Sequence, residues 1–283
     1  MLKKDELKFS SKKFLISAAA ATTIMATSAL AHFQMLYTPN TALTKGQTIE
    51  LREVFTHPFA DEHTMDMGKQ HDSKKLMPVE EFYVINKGKK KDLKSTLKDI
   101  TFKGNHNSGH AYASQYKARR MGDHILILKP APYYEAGEDI YIQQITKSIV
   151  NVAGTPTGWD EELGLKAEIV PLTKPYAIWE GGSFTGVVKS NGKVVPFAEI
   201  EVEYLNRDVD LKNNKMGSSY VQAPQDAFIT MGIKANKDGE FTFSIPKAGF
   251  WGFCALGVGS DKEYKGKELS QDAVIWVEAK PMK

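Results

Sequence analysis

Apolar and polar residues alternate along residues 48–57, where Ile49, Leu51, Phe55 and His57 share one parity and Glu50, Arg52 and Thr56 the other. A period of two marks a strand with one buried face. Segments 81–85, 124–128, 139–145, 166–170, 185–188, 198–204, 241–245 and 273–278 read as comparable strands, some of them as unbroken apolar runs. Clusters such as Asn86-Lys87-Gly88, Met121-Gly122-Asp123, Ser190-Asn191-Gly192 and Lys237-Asp238-Gly239 punctuate them with residues suited to tight turns. No amphipathic helix of useful length interrupts the series. Many short strands with regular turns predict an all-β chain built as β-sandwiches.

Pro171 and Pro175 bracket a strand end, and Gly181-Gly182 follows. The expected division is therefore a first sandwich at 32–174 and a second at 175–283. Within the second, Gly186-Val-Val-Lys-Ser-Asn-Gly-Lys-Val-Val-Pro-Phe-Ala198 predicts a hairpin turning at Gly192. A further hairpin is expected from Asn236 onward, through Asp238-Gly-Glu-Phe-Thr-Phe-Ser-Ile-Pro246, into a Gly-aromatic strand. This pairing of motifs resembles transthyretin-like or carboxypeptidase-regulatory-like modules, which implies a seven-stranded Greek-key sandwich and leaves chemistry open.

Residues 1–31 read as a processing signal. Lys3, Lys4, Lys8, Lys12 and Lys13 precede an uncharged stretch at 14–30, and Ala29-Leu30-Ala31 gives the small-x-small pattern of a cleavage site. The apolar stretch is too short and weak for a membrane span. The mature chain is expected to begin at His32, outside the inner membrane. The leader removes five Lys and two acids from totals of 37 and 34, leaving 32 of each sign. Overall charge thus gives no argument for nucleic acid or an anionic membrane as partner. Cys254 is the single cysteine and sits in an apolar run, which excludes an intrachain disulfide and predicts a buried, inert thiol.

All seven histidines precede residue 125, so a site is sought in the first half. His32, once N-terminal, would offer an α-amine and an imidazole that can close a chelate ring on a divalent ion; a third nitrogen completes a histidine brace. If 32–37 and 48–57 pair as a hairpin, His57 comes beside His32. His124, opening its strand, could reach the same rim, with Asp123 or Glu53 orienting an imidazole. His63, Met65 and Met67 occupy alternate positions and could present one imidazole and two thioethers on one side, with His71 following. Equally, that segment could be a loop whose methionines cover the sandwich end. His106 and His110 read as a solvated surface pair. No spacing signals a hydrolytic triad or a zinc-protease helix.

The chain also resembles, over nearly its whole mature length, periplasmic proteins linked to nickel and cobalt uptake by energy-coupling-factor ABC transporters. The residues that carry this are Ala31-His-Phe-Gln-Met-Leu-Tyr-Thr-Pro39, Phe55-Thr-His-Pro-Phe59, Met65-Asp-Met-Gly68, Arg120-Met-Gly-Asp-His124, Lys129-Pro-Ala-Pro-Tyr-Tyr134, Leu163-Gly-Leu-Lys-Ala-Glu-Ile-Val-Pro171 and Gln271-Asp-Ala-Val-Ile-Trp276. The resemblance implies periplasmic binding of Ni2+ or Co2+ and delivery to the membrane subunits of an uptake transporter, without catalysis. Copper handling is the alternative, because a brace near methionines suits copper. Further alternatives are an oxidative copper enzyme, for which Tyr133-Tyr134 could offer an aromatic platform, and a structural adhesion sandwich.

Overall fold

The computed structural model describes residues 32–61 and 63–282; the expected leader lies outside the described residues. Among these residues there is no α-helix, only the 3-10 turns Lys94–Thr96 and Asp226–Phe228 between strands. The fold is an all-β sandwich in three layers.

The first sheet runs in the order Phe33–Tyr37, Gln47–Thr56, Ser108–Ala118, Lys98–Lys103, Lys215–Ser219 and Arg207–Asp210, with Thr64–Met65 added alongside Gln47–Thr56. The middle sheet runs Met231–Lys234, Glu199–Tyr204, Gly249–Ala255, Lys267–Lys280, Ile140–Val152, Gly122–Lys129, Glu81–Asn86 and Lys89–Asp92. Glu168–Pro171, Ser183–Ser190, Lys193–Val194 and Glu240–Ser244 form the third.

Both faces of the middle sheet are buried. Leu126, Leu128 and Phe82 meet Leu51, Phe55 and Tyr112 of the first sheet. Further along, Cys254, Val274 and Trp276 meet Phe33, Met35 and Val54. On the opposite face Ile145, Ile149, Ile200, Phe253 and Ile275 pack on Ile169, Phe184, Val188 and Phe241 of the third sheet. Double burial explains why 125–128 and 274–277 read as unbroken apolar runs. One charged pair lies inside this second interface: Lys147 Nζ stands 2.6 Å from Glu168 Oε1, and both side chains are almost wholly buried.

The two sandwiches are not separately cored, which corrects the division at 174. Ile140–Val152 pairs in parallel with Lys267–Lys280, from Tyr141 opposite Leu269 to Ser148 opposite Trp276. Lys215–Ser219 joins the first sheet beside Lys98–Lys103. Parallel pairing of strands so distant in sequence leaves no local trace, so the boundary prolines mark a turn within a shared scaffold. The turn at Gly192 forms as expected. The expected second hairpin does not: Glu240–Ser244 pairs in the third sheet, whereas Gly249–Ala255 crosses to the middle one. Ser108–Ala118, absent from the expected strands, is a long central strand of the first sheet.

Candidate metal centre

Phe33–Tyr37 pairs antiparallel with Gln47–Thr56, Phe33 lying opposite Thr56. Each strand therefore delivers the next residue, His32 or His57, to the same sheet end. Their imidazoles meet edge to face with centroids 4.7 Å apart. Phe55 and Tyr133 stand against His32 at centroid distances of 5.6 and 6.4 Å and give the site an aromatic side.

The strand ends are tied down from below. Gln144 on the middle sheet donates Nε2 to the His32 carbonyl at 2.7 Å, and its Oε1 accepts the Gln34 N–H at 2.6 Å. The segment after His57 is held as well: the Phe59 N–H donates to Glu203 Oε2 at 3.3 Å, and the Asn206 N–H donates to the Pro58 carbonyl at 3.2 Å. Burial pushes the Glu203 carboxyl up to about 8. The position of both histidines is therefore fixed by strand pairing and buried polar contacts.

The two imidazoles differ in environment. His32 Nε2 lies 3.2 Å from Glu135 Oε2, and this contact holds the Glu135 carboxyl down at about 2. His57 is 6 % exposed, and neither ring nitrogen has a hydrogen-bond partner among the described residues. Burial, then the neighbouring His32 and His63, pull its pKa down to about 3, so His57 is a neutral donor across the ordinary pH range. A buried imidazole with two idle nitrogens costs free energy unless something else uses them.

The other sequence-predicted residues are placed as follows. His63 is exposed, with its ring 6.2 Å from that of His57, at the open side of the pair. Met65 and Met67 do not flank it. Both are buried in the core between the first two sheets, Met65 opposite Phe55 in the ladder and Met67 Sδ accepting from Gln34 Nε2 at 3.7 Å. His71 is exposed, pairs with Asp72 and sets its ring on Tyr134 at 4.6 Å, apart from the other histidines.

His124 does not reach the rim, and this corrects the expectation. It lies opposite Val150 on the strand whose Gln144 holds His32. Six residues of strand separate the two places by about 20 Å. Both His124 nitrogens are engaged at 2.8 Å, Nδ1 with the Tyr116 hydroxyl and Nε2 with the Arg120 carbonyl. Asp123 and Glu53 orient no ligand: Asp123 gathers Asn151 and the amides of Thr157, Gly158 and Trp159, while Glu53 accepts from Ser114. Tyr133 and Tyr134 are buried and form no open platform.

The residue that sequence reasoning missed is Glu135. No local motif marks it, since its approach to His32 depends on Tyr133–Glu135 folding back on Ile140–Val152. Among the described residues no three or more His, Cys, Asp or Glu side chains form a ready ligand cluster. A brace needs only two, because an α-amine supplies the remaining nitrogen. His57 provides the orphaned buried donor that such a site requires.

Together these features define an all-β, layered protein with a histidine pair held at one end of its first sheet. The chain belongs to the family described as "Domain of unknown function (DUF4198)", whose profile matches residues 29–259. No curated protein matches it in sequence. Among solved structures it is similar to the D0-D1 domain of intimin, at 11 % identity and a TM-score of 0.21, covering 88 % of this chain and 100 % of that one. Dimeric latent PorU from Porphyromonas gingivalis is similar at 9 % identity and a TM-score of 0.23, over 92 % of this chain and 21 % of that one. The Clostridium thermocellum CbhA fibronectin(III)-like modules give 8 % identity and a TM-score of 0.20, over 87 % and 95 %. Likenesses this low carry no argument about function.

Proposed function

We propose that the chain, exported to the periplasm and cleaved after Ala31, binds one divalent transition-metal ion and passes it to the membrane subunits of an uptake transporter. The ligands are the His32 amine and imidazole and the His57 imidazole, with His63 near the open side. The carrying observation is the division of labour around the two rings. Glu135 engages His32 Nε2, which leaves Nδ1, the nitrogen that can close a chelate ring with the α-amine, for the metal. A carboxylate on the distal nitrogen is the usual orienting partner of a metal-bound imidazole. His57 supplies a neutral, buried, unpartnered nitrogen donor at van der Waals distance.

The donors are nitrogens, and the two thioethers face the core, which favours a divalent ion over Cu(I). Nickel or cobalt follows from the resemblance noted in the sequence. Cu(II) binds more tightly than either at most nitrogen sites, so in vitro preference does not identify the cargo. The site binds and delivers; it has no role in catalysis.

Calorimetric titration with Ni(II) tests the reading on three proteins: one beginning at His32, one carrying an extra Gly before it, and His57→Ala. The extension moves the free amine off the chelate ring while keeping every imidazole, so its affinity should fall at least tenfold, and His57→Ala should fall similarly. Equal nickel affinity for the first two proteins would exclude the amine. Intact-mass measurement of periplasmic material should show loss of 1–31; a mature chain starting elsewhere removes the brace.

A further inference from the structure

The mature chain has no excess of positive charge, yet the fold gathers cations at the end of the middle sheet away from His32. The edge hairpin brings Lys89, Lys90 and Lys91 opposite Asn86, Ile85 and Val84. Ser108–Ala118 ends beside it, and Lys117, Arg119 and Arg120 form the facing wall. Between them lies a cleft of about 300 Å3 floored by Val84, Tyr116 and His124. All six cations are exposed, and no carboxylate-bearing residue lines the cleft. Of these six, among the described residues, only Lys90 has an ion-pair partner, Glu81 at 3.4 Å, and its Nζ stands 3.6 Å over the Tyr83 ring on the other face of the hairpin.

The floor is rigid. Tyr116 and His124 are buried and bonded to each other, and the Arg120 carbonyl is held by the His124 ring. The two arginines therefore spring from a fixed turn. Beyond them the turn carries Met121, 58 % exposed, an apolar tip directly after a basic pair. Lys89, Lys91, Arg119 and Arg120 crowd like charges around one concavity, and these repel each other unless an anion enters. Guanidinium forks and lysines together suit the several oxygens of a phosphate group.

We infer that this cleft is a binding site for a phosphate group, and that its source is the headgroup of an anionic phospholipid at a membrane surface. Met121 reaches into the interface while the cations meet the phosphates. Docked in this way, the chain holds its histidine pair about 20 Å from the surface-facing end, on the far side of the strands. This inference does not depend on the metal-binding reading.

The test uses the protein beginning at His32 and the variant Lys91→Gln/Arg119→Gln/Arg120→Gln. A control of equal charge, Lys212→Gln/Lys234→Gln/Lys247→Gln, changes exposed lysines elsewhere. Co-sedimentation is measured with phosphatidylcholine vesicles, with and without phosphatidylglycerol, at low and at physiological salt. Unmodified protein and control should partition onto the anionic vesicles and not the neutral ones, weakening with salt. The cleft variant should lose at least tenfold in partitioning. Its thermal unfolding should be unchanged, which shows an intact fold. Calorimetry with inorganic phosphate separates the sources: saturable phosphate binding lost in the cleft variant, without vesicle binding, supports the phosphate site and overturns the lipid source. Equal vesicle partitioning by cleft variant and control, or no binding to either vesicles or phosphate, overturns the site.

Discussion

Replacing His57 by Leu should raise the stability of the metal-free protein and abolish its stabilisation by metal. His57 is 6 % exposed and both ring nitrogens lack partners among the described residues. A buried polar group left unmatched costs about 1–3 kcal/mol, and leucine of similar volume removes that cost with little repacking. At about pH 7.5, with chelator, His57→Leu should therefore gain about 1–3 kcal/mol. In a chain of this size that is roughly 2–4 °C per kcal/mol in Tm. The gain should widen in acid. The folded pKa of His57 is depressed from 6.5 to about 3, so in acid the unfolded chain takes up a proton that the folded one refuses. The stability this gives is complete above pH 6.5 and lost as pH falls toward 3. At pH 5 the parent has lost roughly 2 kcal/mol through this group and the variant none. Ni(II) at a hundredfold over Kd should cut the variant's lead at pH 7.5 by about 2.7 kcal/mol, because the parent gains that much by mass action and the variant far less. Urea unfolding at the two pH values, with chelator and with nickel, reads all three effects. If metal-free His57→Leu is the less stable protein at both pH values, His57 is a satisfied structural residue and the candidate site loses its carrying observation.

Other outcomes are expected elsewhere in the fold. Lys147→Met should destabilise by about 3–5 kcal/mol in urea unfolding, since it leaves the Glu168 carboxylate buried among the second and third sheets without its cation; a milder double variant, Lys147→Met/Glu168→Leu, checks that the loss comes from the stranded charge. Glu53, buried beneath the first sheet, has its pKa raised by burial from 4.5 to about 8. The stability from its retained proton is full below pH 4.5 and declines as pH rises to about 8, so Glu53→Gln should flatten the fall by about 1.4 kcal/mol per pH unit in that window, read from unfolding at several pH values. Gly252→Ala should destabilise by about 1–3 kcal/mol, because the new Cβ would lie 2.9 Å from the Phe33 and Trp276 rings. Since Phe33 follows His32, the same variant should also weaken nickel binding, measurable by the titration above.

The alternation at 48–57, the turn residues and the absence of helical periodicity were enough to determine an all-β sandwich, because side-chain parity in a strand is a local property. The hairpin that joins His32 to His57 was legible for the same reason: sequential strands with a short connection pair antiparallel. What the strands did next was not local. The parallel pairing of Ile140–Val152 with Lys267–Lys280 merged two expected domains into three layers around one sheet. Glu135 came to His32, and His124 went to the far end, through register on that same long strand. For Met65 and Met67 the sequence left open a face shared with His63 or a cover over the sandwich end, and burial of the apolar thioethers drew both into the core. Charge shows the same contrast, since a chain balanced in sequence carries its cations around one cleft only after the edge hairpin and the Arg119-Arg120 turn are brought side by side. Periodicity and turn chemistry belong to neighbouring residues and are written in their order. Which distant strands meet, and which buried groups find partners, depends on the whole packed structure.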